Sequence, residues 1–231
     1  MPAEGMRATW DAAAASADVD RYVGDPATAR QELDGLFGRL GADLRGGVCV
    51  EVGCGPGRMT ALLAERFDRV VAVDVSQGML ERAQGAVTAS NVEFRGVPGD
   101  SLATVEGGIA DVLVCYLVLQ HLPERRLVLR YLQEFGRVLA PAGQALVQLP
   151  VLRPGLAPRA WRLARDLAIP VASRLDRDVE ANAAYRGSRP TEGELARGLT
   201  AAGLRATARD ESPDSPYRYA REVFLRLEHA A

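Results

Sequence analysis

The stretch 48-VCVEVGCGPGRMT-60 decides the fold, because an apolar run ends there in a glycine-rich turn and passes at once into a helical sequence. It reads as a buried strand whose closing turn lets backbone N–H groups come close to a ligand. Its glycines, Gly53, Gly55 and Gly57, are spaced G-x-G-x-G. A dinucleotide fingerprint needs G-x-G-x-x-G, and Arg58 occupies the place of its last glycine, which counts against NAD.

Outward from this turn the chain alternates. The pattern predicts strand 47–53, helix 57–67, strand 69–75, helix 77–87, strand 91–96 and a short helical turn after Asp100. Strand 109–116, helix 123–139 and strand 143–150 follow. Runs such as 70-VVAVDV-75 and 112-VLVCY-116 are almost wholly apolar, as in strands covered by helices on both faces. Such alternation predicts an α/β fold, a doubly wound parallel sheet with right-handed crossovers. Pro123 is expected in the first turn of its helix, ahead of the stripe Val128, Tyr131, Leu132, Phe135, Val138 and Leu139. The sequence 139-LAPAG-143 reads as the turn that ends this helix.

On either side lie less regular parts. Residues 1–45 read as an N-terminal helical segment. It is alanine-rich to residue 26, with Trp10 and Tyr22 as its large anchors, and continues as a helix over 27–44 carrying Leu33, Leu36, Phe37 and Leu40. Residues 151–190 break the rhythm with eight arginines against four acids. They read as a helical cap insertion with an amphipathic segment of Leu156, Ala160, Leu163, Ala164 and Leu167. Residues 191–231 supply a helix (191–202) and two strands (204–210 and 219–228), so that one domain over 1–231 is expected, with 46–150 as its ligand-binding core.

Composition narrows the partners. The chain has 231 residues, 48% hydrophobic, with a formal net charge of −2. Nucleic-acid binding shows as a basic face, so nucleic acid is not the expected partner. The longest apolar stretch, 112-VLVCYLVL-119, is too short to cross a membrane, and charges stand where a signal peptide has its apolar core. A cytoplasmic protein is expected. Cys49, Cys54 and Cys115 read as reduced core thiols, and with His121 and His229 as the only histidines no metal site is expected. All 28 basic residues are arginine, which excludes Schiff-base chemistry and the P-loop lysine and fits a GC-rich bacterial genome.

In an open α/β sheet, ligands bind at the carboxyl ends of the strands, where the strand order reverses. The glycine turn and Asp74, the acid ending 70-VVAVD-74, therefore converge on one crevice, and Asp74 suits the ribose hydroxyls of any adenosine cofactor. At this point the chain resembles the class I S-adenosylmethionine-dependent methyltransferases, over roughly residues 27–150. The motifs that carry the likeness are 51-EVGCGPG-57, Asp74 with 75-VSQGML-80, 99-GDSL-102 and 111-DVLVCYLVLQHL-122.

The resemblance implies a seven-stranded sheet with its last strand antiparallel, and S-adenosyl-L-methionine as cofactor. It implies roles as well. Gly53, Cys54 and Gly55 let the backbone approach the methionine portion, and Glu51 orients that end. Asp74 holds the ribose, while Val75 and Met79 belong to the segment on the adenine. Asp100 accepts from the adenine amino group beside the Ser101 and Leu102 backbone, and the Cys115 and Tyr116 backbone lies near the cofactor's amino group. Gly57 serves close packing of helix on strand.

Each acid also has a structural reading, as a buried partner for Glu51 and Asp74 or a helix cap for Asp100. His121 is the candidate base, since histidine titrates near neutrality, although bracing its loop is an equal alternative. Tyr22, Tyr185 and Arg186 are candidates for the acceptor site. The arginines of 151–190 suggest an anionic acceptor or a solvated face, and the amphipathic run also fits a homodimer contact. The expected activity is methyl transfer to a small-molecule metabolite of secondary metabolism. An NAD-linked oxidoreductase and a non-catalytic cofactor-binding module are the alternatives.

Overall fold

Seven strands form one sheet: β1 (Val48–Val52), β2 (Arg69–Asp74), β3 (Val92–Gly96), β4 (Ala110–Cys115), β5 (Leu139–Leu152), β6 (Leu204–Glu211) and β7 (Ala220–His229). Their order is β3-β2-β1-β4-β5-β7-β6, with β7 antiparallel to both of its neighbours and the first five parallel. The computed structural model describes residues 2–16, 25–42, 45–175, 187–212 and 219–230. Its helices are α1 (Pro2–Ala15), α2 (Ala29–Leu40), α3 (Thr60–Ala64), α4 (Gln77–Ala86), α5 (Arg125–Val138), α6 (Leu156–Leu175) and α7 (Glu192–Ala201).

The central strands are apolar because each side chain, whichever face it takes, meets helices. Val50, Val71, Leu113 and Val147 pack on one face with Leu132 and Phe135 of α5 and Leu195 of α7. Cys49, Val70, Val112 and Leu146 pack on the other with Leu33, Leu36 and Leu40 of α2 and Leu63 of α3. Adjacent residues of one strand thus belong to different halves of the core, which fixes the register.

Three local expectations are corrected. Helix α5 begins at Arg125 behind the cap Glu124, so Pro123 precedes the helix instead of starting it. The ring holds Leu122 extended, at ψ 123, and closes the short 3-10 turn Leu119–His121. The 139-LAPAG-143 segment is already strand: Leu139 pairs with Ala110, and the register shifts before Val112 pairs with Gln144. Gly143 permits this, since a Cβ there would stand 2.3 Å from the Ala110 carbonyl oxygen.

After Asp100 no helix forms. The Leu102 N–H donates to Glu134 (2.8 Å), and Arg137 donates to the Leu102 and Val105 carbonyls (2.9 and 3.0 Å), so side chains satisfy that backbone. On α6 the amphipathic segment turns its large apolar side chains outward, with Leu156, Leu163 and Leu167 exposed by 84, 64 and 67%. Among the described residues no helix is long and apolar enough to cross a membrane.

Candidate active site

β1 and β4 are neighbours although β2 and β3 separate them in sequence, so the winding reverses between them. At the carboxyl ends of these strands lies a cavity of about 980 Å3, measured out to its open mouth. One group of lining residues comes from β1, β2 and the turns after them: Glu51, Gly53, Cys54, Gly55, Asp74, Val75 and Met79. A second group comes from α1, the segment after β4 and α5: Met6, Trp10, Tyr116, Leu117, Val118, His121, Leu122 and Tyr131.

Two acids stand in the first group. Glu51 is 5% exposed and accepts from the Thr60 hydroxyl at 2.6 Å. Burial pushes its carboxyl up to about 8. Asp74 is 8% exposed, and its two oxygens accept from the Gly55 and Ser76 N–H groups, each at 2.9 Å. Burial raises Asp74 above the usual carboxylate range, and those N–H bonds oppose the rise. The cation nearby is already committed. Arg58, its side chain 6% exposed, pairs with Glu32 of α2 at 3.0 Å, and the Tyr116 hydroxyl bonds the same carboxylate.

The glycine loop works by close approach. The Gly53 and Cys54 N–H groups both donate to the Val73 carbonyl (2.8 and 3.0 Å), and the Gly55 N–H is spent on Asp74. What the loop offers the cavity is therefore bare backbone, with three amides already bonded inside the chain. Gly53 has φ 73, and a Cβ on it would stand 2.3 Å from a Val118 methyl. Gly57 is pressed against α4, where a Cβ would lie 2.9 Å from Val87 and 3.3 Å from Ala83.

A family profile described as "Methyltransferase domain" matches residues 50–147, which run from β1 through the cavity turns into β5. Over that stretch the chain is similar to methyltransferase domains, in line with the resemblance its motifs carry. Among curated relatives, a ubiquinone biosynthesis O-methyltransferase of Bordetella avium is 32% identical over 39% of this chain and 39% of its own length. A trans-aconitate 2-methyltransferase of Methylobacterium radiotolerans is 32% identical over 64% of this chain and 58% of its own. The chain thus spans well under two thirds of both. A SAM-dependent methyltransferase of Leishmania major has the same fold, with TM-score 0.69 at 14% identity over 98% of this chain and 83% of that one.

The remaining expected site residues are distributed unevenly. Asp100 lies outside the cavity lining and pairs with Arg130 at 3.1 Å, with the Ser101 hydroxyl 3.4 Å from its carboxylate. Leu102 and Cys115 are fully buried behind the lining, and Leu102 spends its N–H on Glu134. Val97, three residues before Asp100, does line the cavity. Burial raises the thiols of Cys49, Cys54 and Cys115, which keeps them neutral. Tyr22, Tyr185 and Arg186 lie outside the described residues. Arg162 pairs with Glu194 at 2.7 Å and Arg159 is exposed; neither lines the cavity.

The sequence reading gave the N-terminal segment a helical character but no place at the cavity, which α1 takes. Asp11 accepts from the Ser76 hydroxyl (2.6 Å) and the Gly78 N–H (3.3 Å), binding α1 to the start of α4. Arg82 donates to the Ala14 and Ser16 carbonyls at 2.5 and 2.8 Å. Met6 and Trp10 thereby reach the cavity, and the Trp10 ring meets His121 edge-on at 5.1 Å. The one available signal was spacing, since Met6, Trp10, Ala13 and Ala14 recur at helical intervals.

Proposed function

We propose that this protein transfers the methyl group of S-adenosylmethionine to a small-molecule acceptor by in-line displacement. The observation that carries the reading is the make-up of the cavity. Glu51 and Asp74 are buried acids at its β1 and β2 edge, and Arg58, the arginine that lines it, is already paired with Glu32. The Asp74 carboxylate, with the negative charge Glu51 takes on when a cation expels its proton, suits a ligand with a sulfonium and an ammonium group. The glycine cradle, which a Cβ at Gly53 would fill, suits a close approach of that ligand to backbone.

On this reading Asp74 holds the ribose, Glu51 the amino-acid end, and Val75 and Met79 the adenine face. Asp100, Ser101 and Leu102 are the candidates for the adenine's polar edge, and the Cys115–Tyr116 backbone for the amino group. The bound cofactor supplies an already activated methyl. The chain's own part is to hold a nucleophile in line and to exclude water. Met6, Trp10, Val118, Leu122 and Tyr131 wall the second half with apolar and aromatic surface, and His121 and Tyr116 are its polar groups. An acceptor with an apolar body and one nucleophilic group fits such walls. The two relatives are named for ubiquinone biosynthesis and trans-aconitate, which favours a small molecule over a macromolecule.

Thermal melting with S-adenosylmethionine, S-adenosylhomocysteine and NAD tests the cofactor half, because a ligand of the native state raises Tm by mass action. Both adenosyl compounds should raise it and NAD should not; the reverse sinks the proposal. A panel of acceptors read by S-adenosylhomocysteine release tests the rest. A Tm shift without turnover across the panel would point to a binding module.

A further inference from the structure

A buried polar chain leads into the cavity from the far side of the sheet. Gln148 of β5 is fully buried, and its Oε1 accepts from the N–H of Leu117 at 3.1 Å. Leu117 has φ 59, the one positive value among the described non-glycine residues, and it lines the cavity. The Gln148 amide nitrogen donates to the Glu222 carboxylate of β7 (2.9 Å) and to Gln120 Oε1 (3.3 Å). Gln120 Nε2 then lies 3.1 Å from His121 Nε2.

The direction of every link follows from its ends. A backbone N–H only donates, so the atom of Gln148 facing Leu117 is the oxygen, and its nitrogen must face Glu222 and Gln120. Gln120 therefore turns its oxygen to Gln148 and its amide nitrogen to His121. A protonated Nε2 would set donor against donor, so Nε2 is the bare nitrogen and the neutral ring carries its proton on Nδ1.

We propose that Gln148 is a positioning residue that, through Gln120, locks His121 in the Nδ1–H form with its Nε2 lone pair occupied. His121 then meets the acceptor as a neutral hydrogen-bonding group and not as its general base. This deepens the methyl-transfer reading and rests on it for the acceptor's presence, but the tautomer itself can be read without cofactor or turnover.

The test is 15N NMR of the full chain labelled at histidine, at a pH above the histidine range. His229 is the internal contrast, because its Nε2 faces the Leu139 carbonyl at 3.4 Å and must be protonated there. His121→Asn assigns the two signal sets. The expected spectrum shows His121 as Nδ1–H and His229 as Nε2–H. Gln120→Met and Gln148→Met should each return His121 towards the Nε2–H form that free histidine prefers. An Nε2–H His121 in the unaltered protein overturns the proposal, as does a Gln120→Met spectrum without change. A shift in Gln120→Met but none in Gln148→Met removes Gln148 from it. Should Gln148→Met fail to fold, the unaltered protein and Gln120→Met still decide. Failure of S-adenosylmethionine to raise Tm would strike the methyl-transfer reading and leave the tautomer standing.

Discussion

The two halves of the cavity are built on different principles. The half at β1 and β2 uses backbone and short acids held within one local unit. Gly53 donates to the Val73 carbonyl, and Gly55 and Ser76 donate to the Asp74 carboxylate, all around the ends of two adjacent parallel strands. The half at α1, Leu117 and His121 is assembled from distant parts: a helix from the N-terminus, the turn after β4, and polar support from β5 and β7. The first half is set by strand register and suits a cofactor common to a family. The second depends on which long-range pieces happen to meet, which is where acceptor choice can vary.

The largest expected effect belongs to the first half. Asp74→Ala removes two acceptor oxygens that also brace Gly55 and Ser76. Loss of charge-assisted bonds should weaken S-adenosylmethionine by roughly 10²–10³-fold in calorimetry; unchanged binding would dissolve the distinction between the halves.

Next comes pH. Glu51 has a folded carboxyl near 8 against an ordinary 4.5, so between those values the native state holds more protons than the unfolded one. Its contribution is therefore fully present below about 4.5 and is lost as pH rises through 8, a change of a few kcal/mol. Ligand-free Tm should fall over that range, and Glu51→Gln should flatten the fall. A cation bound beside Glu51 should also expel its proton, seen as a buffer-dependent binding enthalpy near pH 7.

Gly53→Ala tests the seam between the halves. A Cβ at φ 73 and 2.3 Å from Val118 should cost about 1–3 kcal/mol in urea unfolding. Trp10→Ala should instead act on the second half, raising acceptor KM about tenfold while Tm shifts with cofactor persist. An equal loss of cofactor and acceptor binding would merge the two halves into one. Smallest of all, Arg159→Ala and Arg162→Ala should leave acceptor KM unchanged, since neither side chain lines the cavity.

The same contrast explains what the sequence could show. Strands β1, β2 and β4 are nearly continuous apolar runs, and the G-x-G-x-G turn and Asp74 mark the carboxyl ends of β1 and β2, so the sheet and this edge of the cavity were legible from local pattern. The docking of helix α1 was not, because its anchors Met6 and Trp10 are few and Asp11 finds its partners more than sixty residues away. Gln148 lies opposite Phe224 with Glu222 two residues along, a diagonal set by the β5–β7 register and by no motif. The amphipathic pattern of α6 was legible, whereas the side its stripe faces was not, because periodicity reports a helix's faces without saying which one packs.

A crystal structure with S-adenosylhomocysteine bound tests the central claim most directly. It should show ribose hydroxyls on Asp74, the amino-acid end near Glu51, and the sulfur facing the half lined by Trp10, Tyr116 and His121. A ligand lying in the aromatic half, with Asp74 still bonded only to Gly55 and Ser76, would contradict it.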